Sequence, residues 1–180
     1  MIDFKLDSSW TLFLDRDGVI NERILQGYVR SIEEFKFLPD APAAISELSK
    51  LFRRTFVVTN QQGIAKGLMT ESNLLDIHAY MCLEVEKNGG KIDKCYFAPG
   101  MVSKKNSLRK PNPGMALMAQ RQFEGIEFSK SIMVGDSNSD ILFGKNLGMK
   151  TVRIVTVEPI TVEADINFKS LKEFVNWLKK

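Results

Sequence analysis

The chain contains a single histidine, His78, and only two cysteines, Cys82 and Cys95, in 180 residues. The cysteines lie in apolar surroundings and match no metal or redox spacing, so both read as reduced core thiols. No stretch approaches the roughly 18 consecutive apolar residues needed to cross a bilayer. The opening MIDFKLDSSW lacks the basic segment followed by an apolar one that a secretory signal requires. A soluble, cytoplasmic protein is therefore expected. Charge of one sign is also scarce. The 25 basic and 22 acidic residues leave a formal +3, too slight by itself to imply a nucleic acid or a membrane surface as partner. Repeats, low-complexity tracts and interdomain linkers are missing as well. With 44% hydrophobic residues to build a core, residues 1–180 are expected to form one domain, and a monomer is favoured.

What is present is alternation. TLFL, beginning at Thr11, is the near-continuous apolar run of a strand covered on both faces. PDAPAAISELSKLFRR then offers Asp40 as N-cap, Pro42 in the first turn and an apolar stripe through Ala44, Ile45, Leu48 and Leu51, which is a helix. TFVVTN reads as a second strand, and a helix capped by Thr70 follows it. KIDKCYFAP, SIMVGDS, KTVRIVT and the fragment ADINF are further strands. Helices opened by Pro113, spanning NSDILFGKNLG and capped by Ser170 lie among them or follow the last. This order predicts an α/β fold: a Rossmann-like three-layer sandwich with a mainly parallel central sheet.

The first strand ends in DRDG, Asp15 to Gly18. Asp17-Gly18 is a type I′ hairpin signal when it stands between two alternating apolar runs, but the downstream VIN is short and gives way to polar ERILQG. Hairpin and functional loop remain open on local grounds. In a parallel sheet, ligands bind beyond the carboxyl ends of the strands. Asp15 and Asp17, Thr59 and Asn60, and Asp136 would all fall at that end, on three separate strands, which favours the functional loop.

Three carboxylates without histidine or thiolate partners suit a hard, oxygen-loving cation such as Mg²⁺, and a phosphate ester is its natural guest. Asp15 could then attack phosphorus and form an aspartyl-phosphate. Asp17 would protonate the leaving oxygen and later activate water. Thr59 and Lys110 would hold the transferring phosphoryl oxygens.

DRDGVIN, TNQQGIAKG, RKPNPGM and VGDSNSD stand in the order and spacing of the haloacid dehalogenase superfamily of phosphatases, which the chain resembles. GYVRSIEEFKFLPDA narrows the likeness to the D,D-heptose 1,7-bisphosphate phosphatase and histidinol-phosphatase group, over roughly residues 10 to 156. The resemblance implies Asp15 as nucleophile, Asp17 as acid/base, Thr59 and Lys110 as phosphate holders, and Asp15, the Asp17 carbonyl and Asp136 as Mg²⁺ ligands. It also implies sugar-phosphate contacts from Gln26, Gly27, Tyr28, Asn60, Gln61 and Arg109. A heptose bisphosphate is the first substrate it suggests and histidinol phosphate the second. The TNQ-x-GI-x-x-G pattern is shared with polynucleotide 3′-phosphatases, but the weak net charge and the lack of stacking aromatics near the loops speak against nucleic acid. A non-catalytic binder on the same fold would have no use for the second acid, Asp17.

One departure stands out. The family usually binds a structural zinc through a Cys-x-His pair and a Cys-x-Cys pair, where this chain has Ala98 to Met101 and Asn106 to Leu108, so no zinc is expected. Too few residues separate Asp17 from Asp40 for a folded cap, and the stretch from Thr59 to Lys110 is already filled. The site should lie open, with no large cap domain, covered only by a flap near Gln26-Gly27-Tyr28 and the loop 99–109. Asp140 reads as a first-turn helix acid or a supporting residue. His78 reads as a packing or surface-edge residue and not a catalyst, Met115 and Met118 as core, and Lys104 and Lys105 as solvated.

Overall fold

β-Branched and aromatic residues concentrate in six short segments, and these pair into one sheet. They are β1 (Thr11–Leu14), β2 (Arg54–Asn60), β3 (Lys94–Ala98), β4 (Ser131–Gly135), β5 (Lys150–Ile154) and β6 (Ile166–Phe168). The order is β3-β2-β1-β4-β5-β6, and every pair runs parallel. This computed structural model describes Phe4 and residues 6–102 and 108–180. Lys104, Lys105, Asn106 and Ser107 lie outside the described residues.

The sheet sits between two helical layers. α1 (Ala41–Leu51), α2 (Glu71–Lys87) and α5 (Leu171–Leu178) bury Ile45, Leu48, Leu74, Ile77, Met81 and Phe174 against Leu12, Leu14, Val57, Ile132 and Val134. α3 (Gly114–Gln122) and α4 (Asn138–Asn146) bury Met115, Ala116, Ala119 and Phe143 against Phe13, Phe56, Val58 and Met133. Alternate residues of one strand therefore point to opposite cores, which is why β1 and β4 are apolar throughout. Met118 is only partly buried beside the second core, and His78 is buried in α2.

Helix starts follow the sequence with one exception. Thr70 and Ser137 each form a reciprocal capping box, with Asn73 and Asp140, and the Ser170 hydroxyl accepts from the Glu173 N–H at 3.2 Å. Asp40 does not cap α1. Its backbone is left-handed at φ 59°, which turns the carboxylate away from the helix, and it pairs instead with exposed Lys172 at 3.0 Å.

The hairpin reading of Asp17-Gly18 is not what forms. β1 is flanked on both sides by parallel strands, and the chain after Gly18 folds back locally, with the Arg16 carbonyl accepting from the N–H groups of Val19, Ile20 and Asn21. The strand order reverses direction at β1: the chain proceeds through β2 and β3 on one side and returns to β4 on the other. That makes the carboxyl ends of β1 and β4 the expected crevice. Among the described residues no separate lid domain stands over it, and no helix is long and apolar enough to cross a membrane.

Candidate active site

Leu14 pairs with Val57 and Val134, so Asp15 lies one step beyond the last paired residue of β1, its N–H donating to the Val134 carbonyl at 2.9 Å. Asp136 occupies the matching place one residue after β4. The loops are pressed together. At Gly18, whose φ is +91°, an added Cβ would lie 2.3 Å from Asp136 Oδ2, and at Gly135 it would lie 2.1 Å from the Asp140 Cβ. Glycine at 18 lets the two acidic loops touch, and glycine at 135 lets the first turn of α4 close on the end of β4.

Asp15, Asp136 and Asp140 each offer an oxygen, and these three lie within 4.8 Å of one another. Lys110 is buried among them, its Nζ 2.6 Å from Asp15 Oδ1, 2.7 Å from Asp140 Oδ1 and 2.6 Å from the Val58 carbonyl. Lys110 against three carboxylates, with only the partly exposed Arg23 on the far oxygen of Asp136, leaves the cluster short of positive charge. Burial first, then the charge of Asp140 and those of Asp136 and Asp17, push Asp15 up to about 8 against the pull of Lys110. Burial and Asp140 push Asp136 up to about 6, opposed by Arg23. Asp136 Oδ2 accepts from Arg23 and Thr156, both at 3.2 Å, whereas its Oδ1 is buried without a partner. An orphaned carboxylate oxygen facing two further carboxylates is an all-oxygen donor set that fits a divalent hard cation.

Asp17 is set differently. Arg16, fully buried, reaches both of its oxygens with Nη2 at 2.9 and 3.0 Å, while Asn21 adds a bond of 2.9 Å and Gln61 one of 2.8 Å. Burial alone would raise its pKa. The Arg16 charge and the three donors more than reverse that and hold Asp17 below the usual carboxylate range.

The cleft, of about 690 Å³, is lined by Asp15, Asp17, Thr59, Lys110 and Asp136, and further out by Gln26, Gly27, Tyr28, Asn60 and Arg109. Asn60 holds the Lys110 backbone, its Oδ1 accepting the N–H at 2.9 Å and its Nδ2 donating to the carbonyl at 3.2 Å. Tyr28 accepts from Gln62 at 2.8 Å and lies beneath Lys66, whose Nζ is 5.2 Å from the ring centroid. Gln61 does not line the cleft. It is 1% exposed and bonds inward to Asp17 and Thr59.

Several residues of the site had escaped sequence reasoning. Arg23 bridges Asp136 and Glu158, at 3.2 and 2.8 Å. Arg153, 1% exposed within β5, donates to the Asp136 carbonyl, to Asn138 Oδ1 at 3.0 Å and to the Val162 carbonyl at 2.9 Å, fixing the loop that carries Thr156 and Glu158. For Arg153 the signal was a charged residue inside an otherwise apolar buried run.

Comparison with known proteins agrees with this geometry. Residues 107–157 match the family described as HAD-hydrolase-like. A D-glycero-α-D-manno-heptose-1,7-bisphosphate 7-phosphatase of Campylobacter jejuni is 39% identical over 94% of this chain and 95% of its own. One of Mycobacterium bovis is 35% identical over 97% and 94%. A Pasteurella multocida relative named for the β anomer is 36% identical over 83% and 84%. The D,D-heptose 1,7-bisphosphate phosphatase of B. bronchiseptica, solved with magnesium and phosphate, superposes with a TM-score of 0.83 at 26% identity over 94% of this chain and 98% of that one.

Proposed function

The chain belongs to the haloacid dehalogenase superfamily, in the group of heptose 1,7-bisphosphate phosphatases, and on that footing we propose that it is a Mg²⁺-dependent phosphatase that removes one phosphate from such a sugar bisphosphate through an aspartyl-phosphate. The observation that carries the reading is the buried Lys110 held between Asp15 and Asp140, in a cluster whose third acid, Asp136, keeps an unpartnered Oδ1. That is a site with fixed cations and oxygen ligands for a phosphoryl group.

Asp15, Asp136 and the Asp17 carbonyl would hold Mg²⁺, with Asp140 beside them. When bound, the ion supplies charge neutralisation at the phosphoryl oxygens and orients the ester. Asp15 attacks phosphorus from the end of β1, where its backbone is pinned to β4. Lys110 and the Thr59 hydroxyl hold the phosphoryl oxygens as charge shifts toward the leaving group. Asp17 is the acid/base. The negative charge of the incoming phosphate ester raises the proton affinity that Arg16 lowers in the free site. Asp17 then gives a proton to the departing sugar oxygen and takes one back from the water that hydrolyses the aspartyl-phosphate. Arg109, Tyr28, Gln26, Gly27 and Asn60 line the outer cleft, where the rest of the sugar and its second phosphate lie.

The same reading places the protein in the cytoplasm, as one domain over residues 1–180 acting as a monomer; the unbroken sheet from Thr11 to Phe168 supports the single domain. No structural zinc is expected, since Ala98 to Met101 hold no cysteine or histidine where the family has its Cys-x-His pair. The test is a hydrolysis panel run with Mg²⁺ and with a chelator. It holds both anomers of D-glycero-D-manno-heptose 1,7-bisphosphate, histidinol phosphate, a 3′-phosphorylated oligonucleotide and 4-nitrophenyl phosphate. Magnesium-dependent release of phosphate, fastest from a heptose bisphosphate, is expected. Preference for histidinol phosphate or the oligonucleotide would overturn the substrate, and phosphate release from nothing would leave a binding protein.

A further inference from the structure

Gln61 has no route to a substrate. Its side chain is 1% exposed, behind the wall formed by its neighbours Asn60 and Gln62, and its own N–H is tied to the Ala98 carbonyl at 2.8 Å. Its two amide hydrogens nevertheless reach two groups that do line the cleft. Nε2 lies 2.8 Å from Asp17 Oδ2 and 2.8 Å from Thr59 Oγ1. Both partners can accept, and an amide nitrogen is only a donor, so the directions are fixed.

We infer that Gln61 is a positioning residue that sets the proton-bearing groups of the reaction: by donating to Thr59 it turns the threonine hydroxyl proton toward the phosphoryl group, and by donating to Asp17 it aims that carboxyl at the leaving oxygen. The inference rests on the phosphatase reading above. Thr59 sits at the end of β2 and Asp17 in the loop after β1, so one buried amide ties the phosphate-holding strand to the acid/base loop. Arg16 and Asn21 also hold Asp17 but arise from its own loop. Gln61 is the donor that fixes the loop relative to the neighbouring strand.

A positioning role has a readout that a general structural role lacks. Heptose 1,7-bisphosphate loses phosphate from an alkyl oxygen, which needs a proton as it departs, whereas 4-nitrophenolate departs without one. Because kcat/KM covers only the steps up to formation of the aspartyl-phosphate, it isolates that difference. Gln61→Met keeps length and removes both donors; Gln61→Glu keeps shape, sets a carboxylate against Asp17 and draws the Thr59 hydroxyl proton away from the phosphoryl group. For either variant, kcat/KM on the bisphosphate should fall by roughly tenfold or more beyond the fall on the aryl ester, since general acid catalysis is worth at least that much. The shared part of the loss reports Thr59. Equal losses on both esters, or no loss on either, would overturn the assignment. Failure of the wild type on the bisphosphate would overturn the function reading instead, and it shows before any variant is compared.

Discussion

Lys110 Nζ lies 2.7 Å from Asp140 Oδ1, and the other oxygen of the same carboxylate accepts from the Ser137 N–H at 3.0 Å and its hydroxyl at 2.7 Å. The residue that completes the Ser137 capping box of α4 is thus also a counterion that keeps a buried lysine beside Asp15. Sequence reasoning offered helix acid and supporting residue as alternatives, and the geometry makes Asp140 both.

Asp140→Ala should therefore unfold more readily than an ordinary cap mutant. Losing the capping box costs about 1 kcal/mol. Taking one of its two carboxylate partners from buried Lys110, which keeps Asp15 and the Val58 carbonyl, adds about 2 kcal/mol, the scale of a lost charged hydrogen bond. Asp140→Asn, which keeps an acceptor for Ser137, should recover the first part and little of the second. Urea unfolding of the three proteins separates the contributions, and a loss in Asp140→Ala no greater than the cap alone would show that Asp15 suffices to hold Lys110.

Asp15→Asn should abolish turnover while leaving the fold intact, because the amide is nearly isosteric but a poor nucleophile. Activity near wild type, with deamidation excluded by intact mass, would rule out the covalent route.

Magnesium binding should depend on pH. Asp136 is pushed up to about 6 and Asp15 to about 8, by burial and by the other carboxylates. Both must be ionised to ligate, so protons compete with the ion. Affinity should rise from pH 5.5 to pH 8, and titration calorimetry at pH 7 in buffers of different ionisation enthalpy should register proton release. A constant affinity across that range would contradict the raised values.

The legible part of this molecule was its periodicity. Apolar runs at Thr11, Phe56 and Ile132 and the stripes of α1 and α2 are set by local sequence, and the rule that parallel sheets bind ligands at strand ends then gathers Asp15, Thr59 and Asp136. Lys110 was reached only through the likeness of RKPNPGM to a family, because its place between Asp15 and Asp140 depends on contacts across 95 and 30 residues. Asp40 failed as a cap because a left-handed backbone leaves no trace in composition. Arg153 was passed over inside KTVRIVT, where a charge in a buried strand needs partners that only the folded loop supplies.

Arg109 bears on substrate choice. It lines the outer cleft with Tyr28 and Lys66, and its planar fork suits bidentate contact with a second phosphate. Arg109→Ala should weaken kcat/KM for a heptose bisphosphate by about 2 kcal/mol, the scale of a lost charged hydrogen bond, and barely alter a small aryl ester. Equal losses on both would mean that Arg109 supports the site structurally.

The last prediction concerns His78, which takes no part in the chemistry. It is buried in α2, its Nε2 has no partner, and its ring meets Phe97 at 6.1 Å between centroids. Burial first, then the positive charge of Arg16, push it from 6.5 down to about 3, with Asp17 opposing. The unfolded chain therefore binds a proton between those values that the folded chain refuses. Stability from this group is complete above the unfolded value and drains away as pH falls from about 6.5 toward 3. At pH 5 the loss is about 2 kcal/mol, from roughly 1.4 kcal/mol per unit over the interval below 6.5. The acidic cluster also changes stability with pH, so the measurement is a difference of differences: urea unfolding of wild type and His78→Leu, each at pH 7 and pH 5. The wild type should lose about 2 kcal/mol more than the variant between the two conditions. Parallel losses would mean that the histidine finds a way to protonate inside the fold, through a bridging water beside Arg16 or through opening of α2.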